Sequence, residues 1–186
     1  MFTTSDFRKG LKIEIGGEPF TIVDFQHVKP GKGGAFVRTR LKSLTSGNVL
    51  EMTFRSGDKV DKPDLEEREM QFLYETNGEY HFMDTNNYEQ LFLTGEHLGD
   101  SKGFLKENLV IKALFHNKRP LGIEVPMFVE LKVTQTEPGV RGDTATGATK
   151  PATLESGAVI QVPLFVNEGD ILRVDTRTRE YITRVK

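Results

Sequence analysis

Short runs of alternating apolar and polar residues, separated by turn signals, extend through most of this 186-residue chain. Side chains of a β-strand alternate between its two faces, so residues 35–42 predict a strand with one apolar face and one basic face. The apolar face holds Val37, Thr39 and Leu41, and the basic face holds Arg38, Arg40 and Lys42. Many short strands with regular turns predict an all-β protein of small barrels, and they argue against a parallel α/β sheet.

A glycine-rich turn lies between two of these predicted strands, which span residues 20–28 and 35–42. Its residues are Pro30, Gly31, Lys32, Gly33 and Gly34. Glycine permits positive φ and keeps a turn thin, and proline restricts the entry. We therefore predict a hairpin that presents the lysine ammonium, a mobile cation with three donors and a target for covalent extension. Turn chemistry alone favours the simpler alternative, an ordinary solvated lysine.

Charge and proline predict three segments, at residues 1–63, 64–127 and 128–186. A charged stretch with Pro63 marks the first boundary, and Pro126 marks the second. Residues 1–62 contain 11 Lys/Arg and 7 Asp/Glu, residues 63–126 contain 6 and 12, and residues 127–186 contain 8 and 8. The segments therefore either face different surroundings or carry randomly scattered charge.

Secondary structure within the second and third segments is also predicted. Residues 65–70 have a helical composition, but the alternation that follows at Met70, Phe72 and Tyr74 favours a strand. Asn77-Gly78 is a strong two-residue hairpin signal. One short helix is expected within residues 99–108. A long loop at residues 137–151, rich in glycine and threonine, is typical of a functional segment.

Enzyme motifs fail at individual positions. Gly31-Lys32 is not a phosphate-binding loop, since Gln26 and Gly33 replace the required glycine and hydroxyl residue. Asp143-Thr144-Ala145 resembles the Asp-Thr-Gly motif of aspartic proteases, in which two aspartates share a proton. The other Asp-Thr pairs, at residues 84–85 and 175–176, are not followed by glycine. Cysteine is absent, which excludes disulfides and thiolate sites. We expect no catalytic residues, no cofactor and no metal site. The N-terminus lacks a signal peptide and no apolar run spans a bilayer, so a cytoplasmic location without a membrane partner is expected.

Several separated motifs give the chain a resemblance to the bacterial elongation factor P family. The N-terminal motif is residues 6–10, and the hairpin motif is residues 29–38. The C-terminal motifs are residues 136–144, 150–154, 157–165 and 175–181. They occur in the family's order and span essentially the whole chain.

The resemblance implies an SH3-like, KOW-like N-terminal barrel followed by two OB-folds, in an L-shaped, tRNA-like arrangement. It also implies a monomeric translation factor that binds the 70S ribosome between the peptidyl and exit sites. There the factor contacts peptidyl-tRNA and ribosomal RNA and relieves stalling at consecutive prolines. The family's residue that matches Lys32 often receives a post-translational extension, which would require a modifying enzyme. Because the residue here is lysine, the family's arginine-sugar branch is excluded.

Site residues follow from the resemblance position by position. Lys32 matches the arm tip, and Pro30, Gly31, Gly33 and Gly34 match its loop. Arg38 and Arg40 are candidate RNA contacts, with a solubilising strand face as the alternative. Further candidate contacts lie in the third segment. They are Gly142, Asp143, Thr144, Tyr181 and Arg184. The alternative for residues 142–144 is a structural turn with an Asx-type hydrogen bond, and the alternative for Tyr181 is a position in the core. The alternative functions are a generic single-stranded nucleic-acid-binding OB protein and the elongation-factor-P-like paralogue.

Overall fold

A computed structural model describes residues 1–139 and 147–186. Within these residues the regular secondary structure is mostly β-strand, as predicted, and the helices are short. The first six strands are β1 (Phe2–Thr3), β2 (Lys12–Ile15), β3 (Glu18–Val28), β4 (Phe36–Ser43), β5 (Val49–Arg55) and β6 (Lys59–Val60). The next five are β7 (Leu65–Thr76), β8 (Glu79–Asp84), β9 (Gln90–Thr94), β10 (Val110–His116) and β11 (Arg119–Glu124). The last five are β12 (Phe128–Thr136), β13 (Thr149–Leu154), β14 (Val159–Pro163), β15 (Ile171–Asp175) and β16 (Glu180–Arg184). The helices are α1 (Gly95–Leu98) and two 3-10 turns, Thr4–Asp6 and Gly99–Phe104.

The first compact unit comprises Met1–Glu66 together with Phe115–Leu121. Its main sheet has the order β2-β3-β4-β5, and β1 pairs with β6. The predicted alternation of β4 is confirmed, because Val37, Thr39 and Leu41 are buried while the intervening basic residues are exposed. Val37 and Leu41 belong to a core of nine buried hydrophobic residues. A hydrogen bond of 2.6 Å between His116 Nε2 and Glu14 Oε1 attaches the second stretch to the first.

The second compact unit comprises Glu67–Leu114 and Gly122–Lys186. Its strands belong to two five-stranded sheets, in the orders β11-β10-β7-β8-β9 and β14-β13-β12-β15-β16. Of the first sheet, the end of β10 and the start of β11 fall within Phe115–Leu121 of the first unit. Both sheets have the same connectivity: the first strand is central, the next two strands continue on one side, and the last two lie on the other. Five strands in this order are those of an OB-fold barrel. The division at residues 63 and 127 stays a prediction.

Two sequence expectations in this unit are confirmed and two are corrected. Residues 65–70 form the start of strand β7, and Asn77-Gly78 forms a tight hairpin turn with φ values of 51° and 79°. The short helix begins earlier than expected, at Gly95, and continues as a 3-10 turn to Phe104. The loop expected to end at residue 151 ends where β13 begins, at Thr149. Proline is accepted in this strand because β12 ends opposite Ala152, so no β12 residue lies opposite Pro151.

One turn occurs twice in the second unit and uses the two Asp-Thr pairs at residues 84–85 and 175–176. Oδ1 of Asp84 accepts from the backbone amides two and three residues later, at 2.8 and 3.3 Å. Oδ1 of Asp175 accepts from the equivalent amides at 2.8 and 3.3 Å. Each turn ends in a residue with a φ of 62°, Tyr88 or Arg179. Both aspartates are buried, so these pairs are structural Asx turns.

The threonines of these turns anchor them to neighbouring chain. Thr85 Oγ1 donates to the Glu69 carbonyl at 3.2 Å, and Thr176 Oγ1 donates to the Pro126 carbonyl at 2.7 Å. The first turn joins strands two and three of its sheet, whereas the second joins strands four and five. Since the turns occupy different hairpins of their sheets, they share the same local geometry but are not equivalent positions in the two folds.

The Asp175 turn predicts a specific acid dependence of stability. The side-chain hydrogen bond from Arg177 and the two backbone amides hold the pKa of this carboxyl below its ordinary value. A lowered folded-state pKa contributes stability that is present above the unfolded pKa of about 3.9 and is lost as pH falls through the folded pKa. We expect Asp175→Asn to flatten the fall in unfolding free energy below about pH 4.

Urea unfolding at a series of pH values measures this difference. Arg177→Ala keeps the carboxylate but removes the largest cause of the lowered pKa, so it should flatten the same part of the profile. Parallel acid profiles for the wild type and both variants would contradict the assignment.

No helix in the part of the chain that the structure describes is long and apolar enough to cross a membrane.

Candidate functional site

The longest hairpin of the first unit presents the glycine-rich turn. Strands β3 and β4 pair as far as Val28 opposite Phe36, which leaves residues 29–35 as the connecting loop. β4 is anchored by its buried face, whereas the last six residues of β3 are exposed or half-buried. The end of the hairpin therefore extends past the residues that form the core.

The three glycines of the turn differ in what the backbone requires. Gly33 has a φ of +99°, a conformation that other residues rarely adopt. Gly31 and Gly34 have no positive φ, and a Cβ added to either would meet nothing within 4 Å. The fold itself therefore requires glycine only at position 33 of this turn. At positions 31 and 34, the absence of a side chain keeps the surface of the tip thin.

Lys32 lies at this tip with an exposed side chain. In the part of the chain that the structure describes, it has no hydrogen-bond or ion-pair partner. Its ammonium is therefore available for an external anion or a modifying enzyme. A thin, cationic tip of this kind fits a narrow site lined by phosphate.

The outer face of β4 presents Arg38 and Arg40 in different electrostatic surroundings. Arg38 is flanked across the sheet by neutral residues, Gln26 and Thr53. Arg40 is flanked by two carboxylates, Asp24 and Glu51. Asp24 also lies 3.4 Å from the Lys9 ammonium. Both arginines are exposed, and Arg38 has the less compensated charge.

In the C-terminal sheet, the structure brings Tyr181 and Arg184 together through a residue that sequence reasoning missed. Tyr181 packs against the C-terminal core, and its ring centroid is 6.5 Å from that of Phe165. The Arg184 guanidinium lies 5.1 Å from the Phe165 ring centroid and 3.5 Å from the Asp170 carboxylate. Phe165 is 55% exposed. The sequence signal that could have indicated Phe165 is its position, since it is a large apolar residue two positions after Pro163, where β14 ends.

The candidates Gly142, Asp143 and Thr144 lie outside the described residues. The two ends of their loop are described, and each contains a closely packed residue that was not among the candidate contacts. The buried Lys150 donates from Nζ to the Glu137 carbonyl. A Cβ added to Gly139 would lie 2.5 Å from the Leu164 carbonyl oxygen. Close packing therefore holds both ends of this loop.

Metal binding has no evident site among residues 1–139 and 147–186. No group of three or more His, Asp or Glu side chains there is arranged to hold a metal ion.

Three family models match the chain in sequence order. The model described as the elongation factor P KOW-like domain matches residues 3–60, and the elongation factor P OB domain matches residues 65–123. The elongation factor P C-terminal model matches residues 129–184. Together the three models account for nearly the entire chain.

Curated relatives are similar over their full lengths. Elongation factor P of Natranaerobius thermophilus is 60% identical, with 100% of this chain and 99% of the relative covered. Elongation factor P of Moorella thermoacetica is 57% identical, with 99% of this chain and 100% of the relative covered.

Among solved structures, eukaryotic translation initiation factor 5A from Methanococcus jannaschii is similar with a TM-score of 0.57. It is 24% identical, and the match covers 67% of this chain and 91% of that one. At this identity the likeness concerns the fold alone.

Proposed function

This chain belongs to the elongation factor P family, and on that premise we propose that it relieves ribosomes stalled at consecutive prolines by positioning peptidyl-tRNA. Family membership makes it a translation elongation factor and implies interaction with the ribosome. We place its binding site between the peptidyl and exit sites of the 70S particle. Family membership favours this function over a generic single-stranded nucleic-acid-binding protein.

The observation that supports this proposal most directly is the free amine at the hairpin tip. Lys32 is exposed and unpaired in the described part of the chain, on a loop that the core does not cover. In the proposed complex, the arm reaches toward the peptidyl transferase centre and its amine contacts the tRNA end. Gly31 and Gly34, where the fold has room for a side chain, then serve close approach to RNA.

The proposed mechanism is one of positioning. Proline is a sterically awkward nucleophile, so peptide-bond formation at consecutive prolines suffers from poor alignment of the reacting groups. Holding the peptidyl-tRNA end in a productive geometry lowers the entropic part of the barrier. The ribosome supplies the chemistry of peptide transfer, and this factor needs no acid or base of its own.

A purified translation system tests the proposed function. We expect natively expressed protein to pellet with 70S ribosomes and to increase full-length product from a message that encodes Pro-Pro-Pro. A matched message without consecutive prolines should be unaffected. Absence of relief, with ribosome binding intact, would refute the proline-specific role.

A covalent extension of Lys32 by a modifying enzyme is the second part of the proposal. The peptide mass of natively expressed protein tests it, since an extension predicts added mass on the Lys32 peptide alone. An unmodified peptide from fully active protein would show that the bare amine is sufficient.

Arg38 and Arg40 are proposed to contact ribosomal RNA phosphate. We expect Arg38→Ala combined with Arg40→Ala to weaken ribosome binding and to reduce the slope of log affinity against log salt by about one per lost contact. Of the two single variants, Arg38→Ala should weaken ribosome binding more than Arg40→Ala, because the charge of Arg40 is already compensated by two flanking carboxylates. Binding is measured by sedimentation with 70S ribosomes across a salt series.

The control for this pair removes the same charge elsewhere in the first unit. Lys12 and Lys62 are exposed, so Lys12→Ala with Lys62→Ala changes the net charge equally. If the control lowers the salt slope as much as the arginine pair, the arginines act only through net charge.

A further inference from the structure

Three aromatic side chains form a row across the outer face of β7, β8 and β9. Tyr74 lies opposite His81, and His81 lies opposite Phe92. The first two rings are stacked, with centroids 4.5 Å apart and an angle of 18° between their planes. The Phe92 centroid is 5.9 Å from that of His81. Tyr74 and Phe92 are each 52% exposed. These three residues are called the aromatic row below.

The aromatic row does not belong to the core of its sheet. The opposite faces of the same strands bury Phe72, Phe82 and Leu93. Exposed, contiguous aromatic residues on a folded domain mark an interaction surface. In OB-folds, this side of the sheet is also the usual ligand-binding face.

The second OB sheet offers an internal comparison. Its equivalent cross-strand row, on β12, β13 and β14, consists of Gln135, Thr153 and Val159. Both sheets have the same strand order, so the fold does not require aromatic residues at this place. Of the two OB sheets, only the one formed by β7–β11 therefore carries the aromatic row.

The charge around the aromatic row selects the kind of partner. Residues 65–96, which include all three strands, contain eight Asp/Glu and one Lys/Arg. Seven of the eight acidic residues are exposed or half-buried, and the eighth is the buried Asp84. The Glu79 carboxylate lies beside the row, 3.5 Å from His81 Nε2. Single-stranded nucleic acid stacks on aromatic residues within a basic groove. This acidic surface repels phosphate and attracts a cation.

Arginine suits such a surface better than lysine. Its planar guanidinium stacks on aromatic rings, is weakly hydrated and forms paired hydrogen bonds with a carboxylate. The chain itself uses this contact in its C-terminal sheet. The Arg173 guanidinium lies 4.7 Å from the Phe128 centroid. We propose that the aromatic row, with Glu79, binds an arginine-bearing segment of a protein partner.

An NMR titration of the full chain with defined probes tests this proposal. The probe is a blocked pentapeptide, Gly-Arg-Gly-Arg-Gly, and the comparison peptides replace arginine with lysine or with neutral citrulline. We expect saturable amide shifts at the aromatic row. The arginine peptide should bind about fivefold tighter than the lysine peptide, and the citrulline peptide should not bind. A dodecamer of uridine should leave the row unshifted.

Variants locate the site. Tyr74→Ser with Phe92→Ser should weaken the arginine peptide about tenfold, and Glu79→Gln should weaken it severalfold. The matched control, Gln135→Ser with Val159→Ser on the equivalent face, should bind as the wild type does. The dispersion of amide resonances establishes that each variant is folded.

Three results would overturn the proposal. They are absence of saturable binding by the arginine peptide, undiminished binding in the Tyr74→Ser, Phe92→Ser variant, and equal affinity for arginine and lysine peptides. A larger shift of the aromatic row by the uridine dodecamer than by any peptide would assign the surface to RNA instead.

Discussion

Lys32→Ala is expected to reduce the rate enhancement at a Pro-Pro-Pro stall at least about tenfold, which is equivalent to roughly 1.4 kcal/mol of activation free energy. The physical reason is that the proposed positioning acts through the amine at the arm tip. The measurement is the rate of full-length synthesis in a purified translation system.

The fold should be unaffected by this substitution. Because Lys32 is exposed and unpaired within the described residues, we expect the unfolding free energy of the Lys32→Ala protein to differ from that of the wild type by less than about 0.5 kcal/mol. Urea unfolding checks this expectation. A matched control, Lys12→Ala, removes another exposed lysine of the same unit and should retain full activity.

Two outcomes bear on how the amine acts. Lys32→Arg keeps the positive charge but changes the acceptor for any covalent extension. Activity that survives in this variant would indicate that charge suffices, and activity lost as in Lys32→Ala would indicate that the amine itself is needed. Full activity of Lys32→Ala would contradict the proposed role of the arm.

Gly139→Ala is expected to destabilise the second unit by about 1–3 kcal/mol, the usual cost of inserting an atom into close-packed structure. The added Cβ would lie 2.5 Å from the Leu164 carbonyl oxygen and 3.3 Å from its carbonyl carbon. These are backbone atoms, so relief requires displacement of the chain at the end of β14 or at the start of the loop. Urea unfolding followed by circular dichroism measures the loss.

Gly103→Ala is the matched control in the same unit. Its added Cβ would meet the Ala158 Cβ at 3.6 Å, an ordinary contact, so stability should change little. Equal stabilities of the two alanine variants would show that the Gly139 backbone relaxes freely.

Much of the β architecture was predictable because strand alternation and tight turns are local properties. Buried residues in β4 recur at every second position, and the Asn77-Gly78 turn needs only two residues with positive φ. The short helix was predicted too late in the chain. Its first residues, from Gly95, give no strong propensity signal, and Thr94 at the N-cap makes no side-chain capping hydrogen bond.

In the candidate site, too, the features set by adjacent residues were predictable and those set by tertiary contacts were not. The hairpin and its lysine were visible in a single contiguous motif, and resemblance to a family gave that motif a role. Phe165 was not visible as a partner of Tyr181 and Arg184, because it follows strand β14 whereas the other two residues lie on β16. The different neighbours of Arg38 and Arg40 depend on strand register, which pairs residues far apart in sequence.

The amino-acid sequence by itself determined the all-β class, the exposed lysine at a glycine-rich turn and the family to which the chain belongs. Each depends on residues that are adjacent or on motifs read in order. Tertiary structure alone decided that Glu14 bonds to His116, 102 residues away, and that Tyr74, His81 and Phe92 meet in one row. Such meetings follow from strand pairing and register, which depend on the packing of whole sheets and not on any local pattern.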